Sequence, residues 1–248
     1  MKVKLSNYVA QFLVDHGIDT VFTVTGGGAM HLNDGFGKQK GLHCVYQHHE
    51  QACAIAGEAY ARIHNKIGAV CVTTGPGGTN AITGVVGGWL DSIPMLVISG
   101  QVRYDTTARS TGLGIRAMGD QEFDICKAVE SMTKYCEMVI DPLKIRYCLE
   151  KALFLALNGR QGPCWLDIPV NIQGSYIDTD ELVGFDPKKE FKENGRRWQE
   201  EAVPAKPSEE TIEAILEKVK AAKRPVINAG SAIRYSGGFQ DFEELVNR

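Results

Sequence analysis

Four short stretches of this sequence place chemically capable side chains where a turn meets a helix. In Gln47-His48-His49-Glu50-Gln51-Ala52, a carboxylate and two imidazoles precede an alanine-rich run that ends in Gly57-Glu58-Ala59-Tyr60-Ala61-Arg62. A carboxylate at that place can carry a proton for a bound ligand. It can equally serve as a solvated first-turn anion in the positive field of a helix N-terminus. Chelation by His48-His49-Glu50 is disfavoured, because adjacent helical residues diverge by about a third of a turn and do not easily share one ion. No metal ligand is assigned. The second stretch, Thr73-Thr74-Gly75-Pro76-Gly77-Gly78-Thr79-Asn80, reads as strand end, glycine turn and helix start. Such a turn lets backbone approach a ligand and offers unpaired N–H groups, or it is simply a tight packing turn. It lacks the Gly-Lys-Ser/Thr ending of a P-loop. Gly26-Gly27-Gly28-Ala29 and Gly119-Asp120-Gln121-Glu122-Phe123-Asp124 are weaker signals. Alone, the first is a flexible turn and the second the charged start of a surface helix.

The elements that position these stretches alternate. Leu5, Tyr8, Val9, Phe12 and Leu13 recur at helical spacing, and Gly17 ends that helix before the apolar run Val21–Val24. The spacing then predicts a strand over 42–46, a helix over 51–63, a strand over 69–73, a helix over 80–90 and a strand over 95–99. A further unit carries a helix after Glu122, a strand over 135–139, a helix over 142–158 and a strand over 164–169. Alternation of this kind predicts an α/β fold, a parallel sheet with helices on both faces. Residues 1–175 form that domain. Residues 176–207, with Asp186-Pro187-Lys188-Lys189 and Pro204-Ala205-Lys206-Pro207, are polar, poorly periodic and read as a linker. Ser208 then caps a helix striped by Ile212, Ile215, Leu216 and Val219, followed by a predicted strand Pro225–Ala229 and a helix over 239–246. Residues 208–248 are thus expected to open a second α/β domain and to stop before its sheet can close.

Composition narrows the partners. A net charge of -3 with scattered Lys and Arg gives no stripe to neutralise a phosphate backbone, so nucleic acid is not expected. No apolar run is long enough for a bilayer span, and Met1–Ser6 lacks a signal-peptide core, so no membrane partner and a cytoplasmic address are expected. Seven cysteines, an odd number without a C-x-x-C pair, read as buried free thiols.

Order raises the specificity of the four stretches. The glycine turn, the His-Glu-Gln helix start, T-x-G-P-G-x-T-N, Asp91-Ser92-Ile93-Pro94, Gly100-Gln101-Val102, Gln121-Glu122-x-Asp124 and Asp167-Ile168-Pro169 follow one another along the chain. Together they resemble the pyrimidine-binding domain of acetolactate synthases and related thiamine-diphosphate decarboxylases and carboligases. The resemblance covers about residues 1–175, and the later segment is similar to the start of that family's central, Rossmann-like domain.

The resemblance implies a transferase or lyase acting on a 2-keto acid such as pyruvate, in amino-acid biosynthesis. Thiamine diphosphate must lose a proton from its thiazolium carbon, and a glutamate at the position of Glu50 activates the aminopyrimidine that removes it. The same resemblance places Gly26 and Gly27 near the pyrimidine, Pro76, Gly77 and Asn80 along its pocket, and Gln121 opposite the reacting carbonyl. It implies magnesium held by a further C-terminal domain marked by Gly-Asp-Gly, which this sequence lacks, so that this chain alone is expected to be inactive. It also implies a homodimer or tetramer, and FAD in the central domain of some relatives. Two departures stand out: Asp120 occupies a place where the family usually has an aromatic residue, and Arg103–Met118 is longer and more basic than usual. A decarboxylase, or a carboligase with a different acceptor, is the alternative within enzymes. Outside them, the glycine turns would suit a nucleotide-binding regulatory module.

Overall fold

A computed structural model describes residues 1–193 and 205–247. It divides into two units, Met1–Arg197 and Trp198–Arg248.

The first unit is built on six parallel strands: β2 Thr20–Thr23, β3 His43–Tyr46, β4 Gly68–Val72, β5 Met95–Gln101, β6 Tyr135–Met138 and β7 Pro163–Pro169. Their spatial order is β3-β2-β4-β5-β7-β6. The residues of β4, β5 and β7 are buried throughout, as expected of parallel strands covered on both sides, whereas the edge strands β3 and β6 are partly exposed. The expected fold class of this unit is what the sheet shows.

Side-chain alternation assigns the two faces. Val21, Ala69, Cys71, Leu96, Ile98, Leu166 and Ile168 pack in one core with Leu5, Val9 and Leu13 of α1 (Leu5–Asp15), Leu32 and Phe36 of α2 (Met30–Lys38), and Ile145, Leu149 and Ala152 of α7 (Ile145–Leu157). The opposite face meets α3 (Glu50–His64), α4 (Pro76–Leu90) and α6 (Ile125–Val129). There Gly57 of α3 lies so close to Val70 that a Cβ would stand 2.7 Å from its methyl group.

The predicted boundaries shift by a few residues in most elements. α4 starts at Pro76 rather than near Asn80, because proline's missing N–H costs nothing in a first turn. The segment 120–124 does not begin a helix. Glu122 instead accepts the backbone N–H groups of Ala108 (2.6 Å), Met118 (2.7 Å) and Gly119 (3.1 Å), binding up the loop that contains α5 (Ala108–Thr111), and α6 begins only at Ile125.

The expected linker needs correction at its start. Residues 176–178 form β8, which pairs antiparallel with β1 (Lys2–Lys4) beyond the short helix α8 (Val170–Gln173). The alternating Lys and apolar residues at the chain start were thus a strand signal. Further on, α9 (Pro187–Glu193) is tied down by Glu190, which accepts hydrogen bonds from Tyr147 Oη (3.0 Å) and Lys151 Nζ (2.8 Å). Polar composition hid both elements, because their apolar contacts come from distant parts of the chain. Residues 194–204, the middle of the expected linker, lie outside the described residues.

In the second unit, α10 (Glu209–Ala221) starts at Ser208, whose hydroxyl accepts from Thr211 N at 3.3 Å, as the sequence predicts. α11 (Ala232–Tyr235) and α12 (Phe239–Asn247) follow. The predicted strand Pro225–Ala229 does not form: no ladder partner for it exists among the described residues, and Val226 is 90% exposed. A short apolar run becomes a strand only when another strand takes up its backbone groups.

Candidate functional site

The chain passes from β2 to β3 on one side and then returns to place β4 on the other side of β2. Connections after β2 and β4 therefore leave the sheet in opposite directions, and such a switch point opens a crevice beyond the carboxyl ends of the strands. Both glycine turns lie there. Gly26–Gly28 follows β2, Thr73–Gly77 follows β4, and the two are stitched by Gly28 N–H donating to Thr73 Oγ1 at 3.1 Å. A cleft of about 460 Å³ opens between them, lined also by Val102, Arg103, Asp120 and Gln121. A Cβ at Gly26 would overlap the Thr73 side chain, whereas Gly27 faces open space.

Glu50 is the first residue of α3, preceded by the extended cap residue His49, whose Nδ1 accepts Gln51 N–H at 3.1 Å. Asn80 stands in the first turns of α4 and donates Nδ2–H to Glu50 Oε2 at 3.0 Å. Thirty positions separate the two residues. The helix pair brings them together because Gly84 of α4 lies directly on the backbone of Ala54 and Ile55 in α3, with no room for a larger side chain. The partly buried Glu50 carboxylate is thus held by an amide. Its other oxygen, Oε1, takes no hydrogen bond within the described chain and faces Gly77, where a Cβ would stand 3.5 Å away.

Gly75 caps α4 at φ 57° and ψ -118°, a conformation that is essentially glycine's own. A Cβ there would overlap the carbonyl oxygen of Gln121, so the turn after β4 and the loop carrying Gln121 touch backbone to backbone. Gln121 itself has φ 58° and an exposed side chain. Of the residues singled out in the sequence, the fold gathers Gly26, Gly27 and Gln121 around the cleft, and groups Glu50, Gly77 and Asn80 at the adjoining helix starts. Pro76, exposed, opens α4 between the two groups.

Burial raises the pKa of four thiols in this unit. Burial pushes Cys53, one turn beyond Glu50, up to about 12, with the Glu50 charge adding to the effect. Burial likewise takes Cys71 to about 12, Cys164 to about 12 and Cys148 to about 11. Cys44, Cys126 and Cys136 are only partly buried, so the expectation of buried thiols holds for four of the seven.

Comparison with known proteins bears directly on this arrangement. Residues 3–128, which contain both glycine turns, Glu50, Asn80 and Gln121, match the family model described as "Thiamine pyrophosphate enzyme, N-terminal TPP binding domain". The chain belongs to the thiamine pyrophosphate enzyme family. Among relatives, the acetolactate synthase large subunit of Lactococcus lactis is 32% identical over 98% of this chain and 39% of its own length. The acetolactate synthase isozyme 3 large subunit of Escherichia coli is 31% identical over 96% and 38%, respectively. The chloroplastic acetolactate synthase of Arabidopsis thaliana is 30% identical over 92% and 31%. The chain thus spans well under half the length of these relatives.

The residues present fit the pyrimidine end of a thiamine pyrophosphate family cofactor. A flat heteroaromatic ring needs backbone it can approach closely and a carboxyl group with a free oxygen. Gly27 leaves the first, and Glu50 Oε1 is the second. Sequence reasoning gave no role to Thr73, Thr74, Gln101 or Asp167. The available signal was a polar residue at a fully buried position of an apolar strand, as at Ser99, Gln101 and Asp167.

Proposed function

We propose that this chain supplies the cofactor-activating domain of a 2-keto acid carboligase of the acetolactate synthase type. The observation that carries the proposal is the Glu50 carboxylate, with one oxygen fixed by Asn80 and the other without a hydrogen-bond partner among the described residues. Similarity to acetolactate synthases along almost the whole chain supports it.

In this reading Glu50 Oε1 bonds the ring nitrogen of the aminopyrimidine and exchanges a proton with it, while Asn80 keeps the carboxyl group from rotating away. Gly26, Gly27, Pro76 and Gly77 let backbone lie against the ring. Gln121 presents its amide at the mouth of the cleft, toward the carbonyl of the 2-keto acid. When bound, thiamine diphosphate supplies an acidic carbon that adds to this carbonyl and takes up the electron pair released with carbon dioxide. Magnesium at the diphosphate, a homodimer or tetramer, and FAD as in some relatives belong to the same proposal, and no residue of this chain is assigned to any of them. A reducing, cytoplasmic address suits seven free thiols.

Asp120 favours a second reading of the acceptor. Its exposed carboxylate lines the cleft beside Gln121 and has no hydrogen-bond or ion-pair partner among the described residues. A negative charge there repels a second carboxylate and suits an acceptor carrying hydroxyl groups, or release of a free aldehyde.

One experiment addresses both readings. In the full-length gene product with thiamine diphosphate, magnesium and pyruvate, Glu50→Gln should lower turnover by roughly 100-fold or more, since positioned acid–base groups contribute about that much. Undiminished turnover removes Glu50 from its role. Product analysis separates acetolactate from aldehyde.

A further inference from the structure

The function proposed above leaves one buried side chain unused. Gln101, the last residue of β5, is 1% exposed, and its amide fills all four of its hydrogen-bonding positions. Nε2 donates to the Phe123 carbonyl oxygen at 2.9 Å and to Asp167 Oδ2 at 3.0 Å. Oε1 accepts Val102 N–H at 3.1 Å and the Thr74 hydroxyl. Asp167 is fixed in turn by Ser99 Oγ at 2.6 Å, and Ser99 accepts the indole N–H of Trp165 at 2.8 Å. Ser99 and Asp167 are register partners on neighbouring strands, so the network is anchored in the rigid centre of the sheet.

The orientation of this amide has a single solution. Turned over, it would aim N–H groups at the Val102 N–H and its oxygen at the Phe123 carbonyl. Two of its partners belong to the two walls of the site: Thr74 directly precedes Gly75, and Phe123 lies two residues beyond Gln121. Those walls also touch each other, where Gly75 meets the Gln121 carbonyl. Gln101 itself does not line the cleft.

We infer that Gln101 is a positioning residue that locks the Thr74–Asn80 turn and the Gln121–Phe123 loop to one another, and so sets where Gln121 stands relative to Glu50. The inference rests on the proposed role of those two residues, but the coupling of the two walls can be read without any cofactor. Thr74→Val removes the hydroxyl that binds Gln101 while keeping its shape, Thr74→Ser keeps the hydroxyl, and Gln101→Glu removes both amide donors.

Amide hydrogen exchange in the ligand-free full-length protein is the first measurement. Thr74→Val and Gln101→Glu should each speed exchange roughly tenfold in both segments, 74–80 and 119–124, and Thr74→Ser should restore wild-type protection. Exchange in 119–124 that is unchanged in Thr74→Val overturns the inference. Should Gln101→Glu fail to fold, the Thr74 pair decides alone. In turnover, the locked walls predict a fall in kcat of roughly tenfold in Thr74→Val with little change in the KM for thiamine diphosphate, reversed in Thr74→Ser. A change confined to KM overturns it. Full activity in Glu50→Gln would instead sink the proposed function and leave the exchange result standing.

Discussion

At the scale of single residues, the site depends on where backbone can approach backbone. Gly75→Ala would put a side chain into a left-handed conformation and against the Gln121 carbonyl. Such a residue costs roughly 1–3 kcal/mol in strain alone, and urea unfolding should show a loss of at least about that size. Gly27→Ala, with nothing within 4 Å of its new methyl group, should change stability by less than about 0.5 kcal/mol. Both glycines were conspicuous in the sequence, yet nothing in their spacing told which one was sterically obligatory. Glu50 was legible as a carboxylate at a helix start, because that signal is local. Its bond to Asn80 was not, because it depends on how two helices pack.

At the scale of elements, α3 and α4 form the bracket that holds Glu50 and Asn80 together. Their contact runs through Gly84, where a Cβ would stand 2.7 Å from the backbone of both Ala54 and Ile55. Backbone cannot yield as a flexible side chain can, so the helices must separate to admit even a methyl group. Gly84→Ala should therefore cost about 1–3 kcal/mol in chemical unfolding and should lengthen the Glu50–Asn80 hydrogen bond, lowering turnover as well. Gly87→Ala, on the same helix but facing open space, should be neutral or stabilise by up to about 1 kcal/mol. The parallel strands and the helices α1, α3, α4 and α7 were readable because each shows its own period, whereas α2 was missed because Asn33, Asp34 and two glycines break its stripe. β8 and α9 were not readable either, since short polar segments gain their order from distant partners such as Lys2–Lys4 and Lys151.

At the scale of the whole molecule, stability should carry the imprint of one buried acid. Complete burial pushes the Asp167 carboxyl up to about 7, against the opposing pull of hydrogen bonds from Ser99 and Gln101. Nearby Asp124 adds to the rise, and Arg109 works against it. An unfolded aspartate titrates near 3.9, so between about pH 4 and 7 the folded chain holds a proton that the unfolded chain has lost. Stability from this group is thus fully present below about pH 4 and is lost as pH rises through about 7. Urea unfolding at pH 5, 6, 7 and 8 should show wild type losing ground to Asp167→Asn up to about pH 7 and then levelling off. The comparison cancels His31, whose burial and neighbour Lys4 lower its pKa and give the opposite slope in both proteins. A difference that does not vary with pH would show that Asp167 keeps the same charge throughout.

The amino-acid sequence by itself determined the α/β class, most elements of the parallel sheet and the residues worth testing, since periodicity, glycine turns and helix starts are encoded within a few positions. Tertiary structure alone decided that Glu50 is held by Asn80 and that Gln101 binds both walls of the cleft. It also decided that the first unit runs on past residue 175 and that 225–229 is no strand. Each of these depends on contacts between segments far apart in the chain, and such contacts form only when burial of the whole core fixes where every strand end must lie.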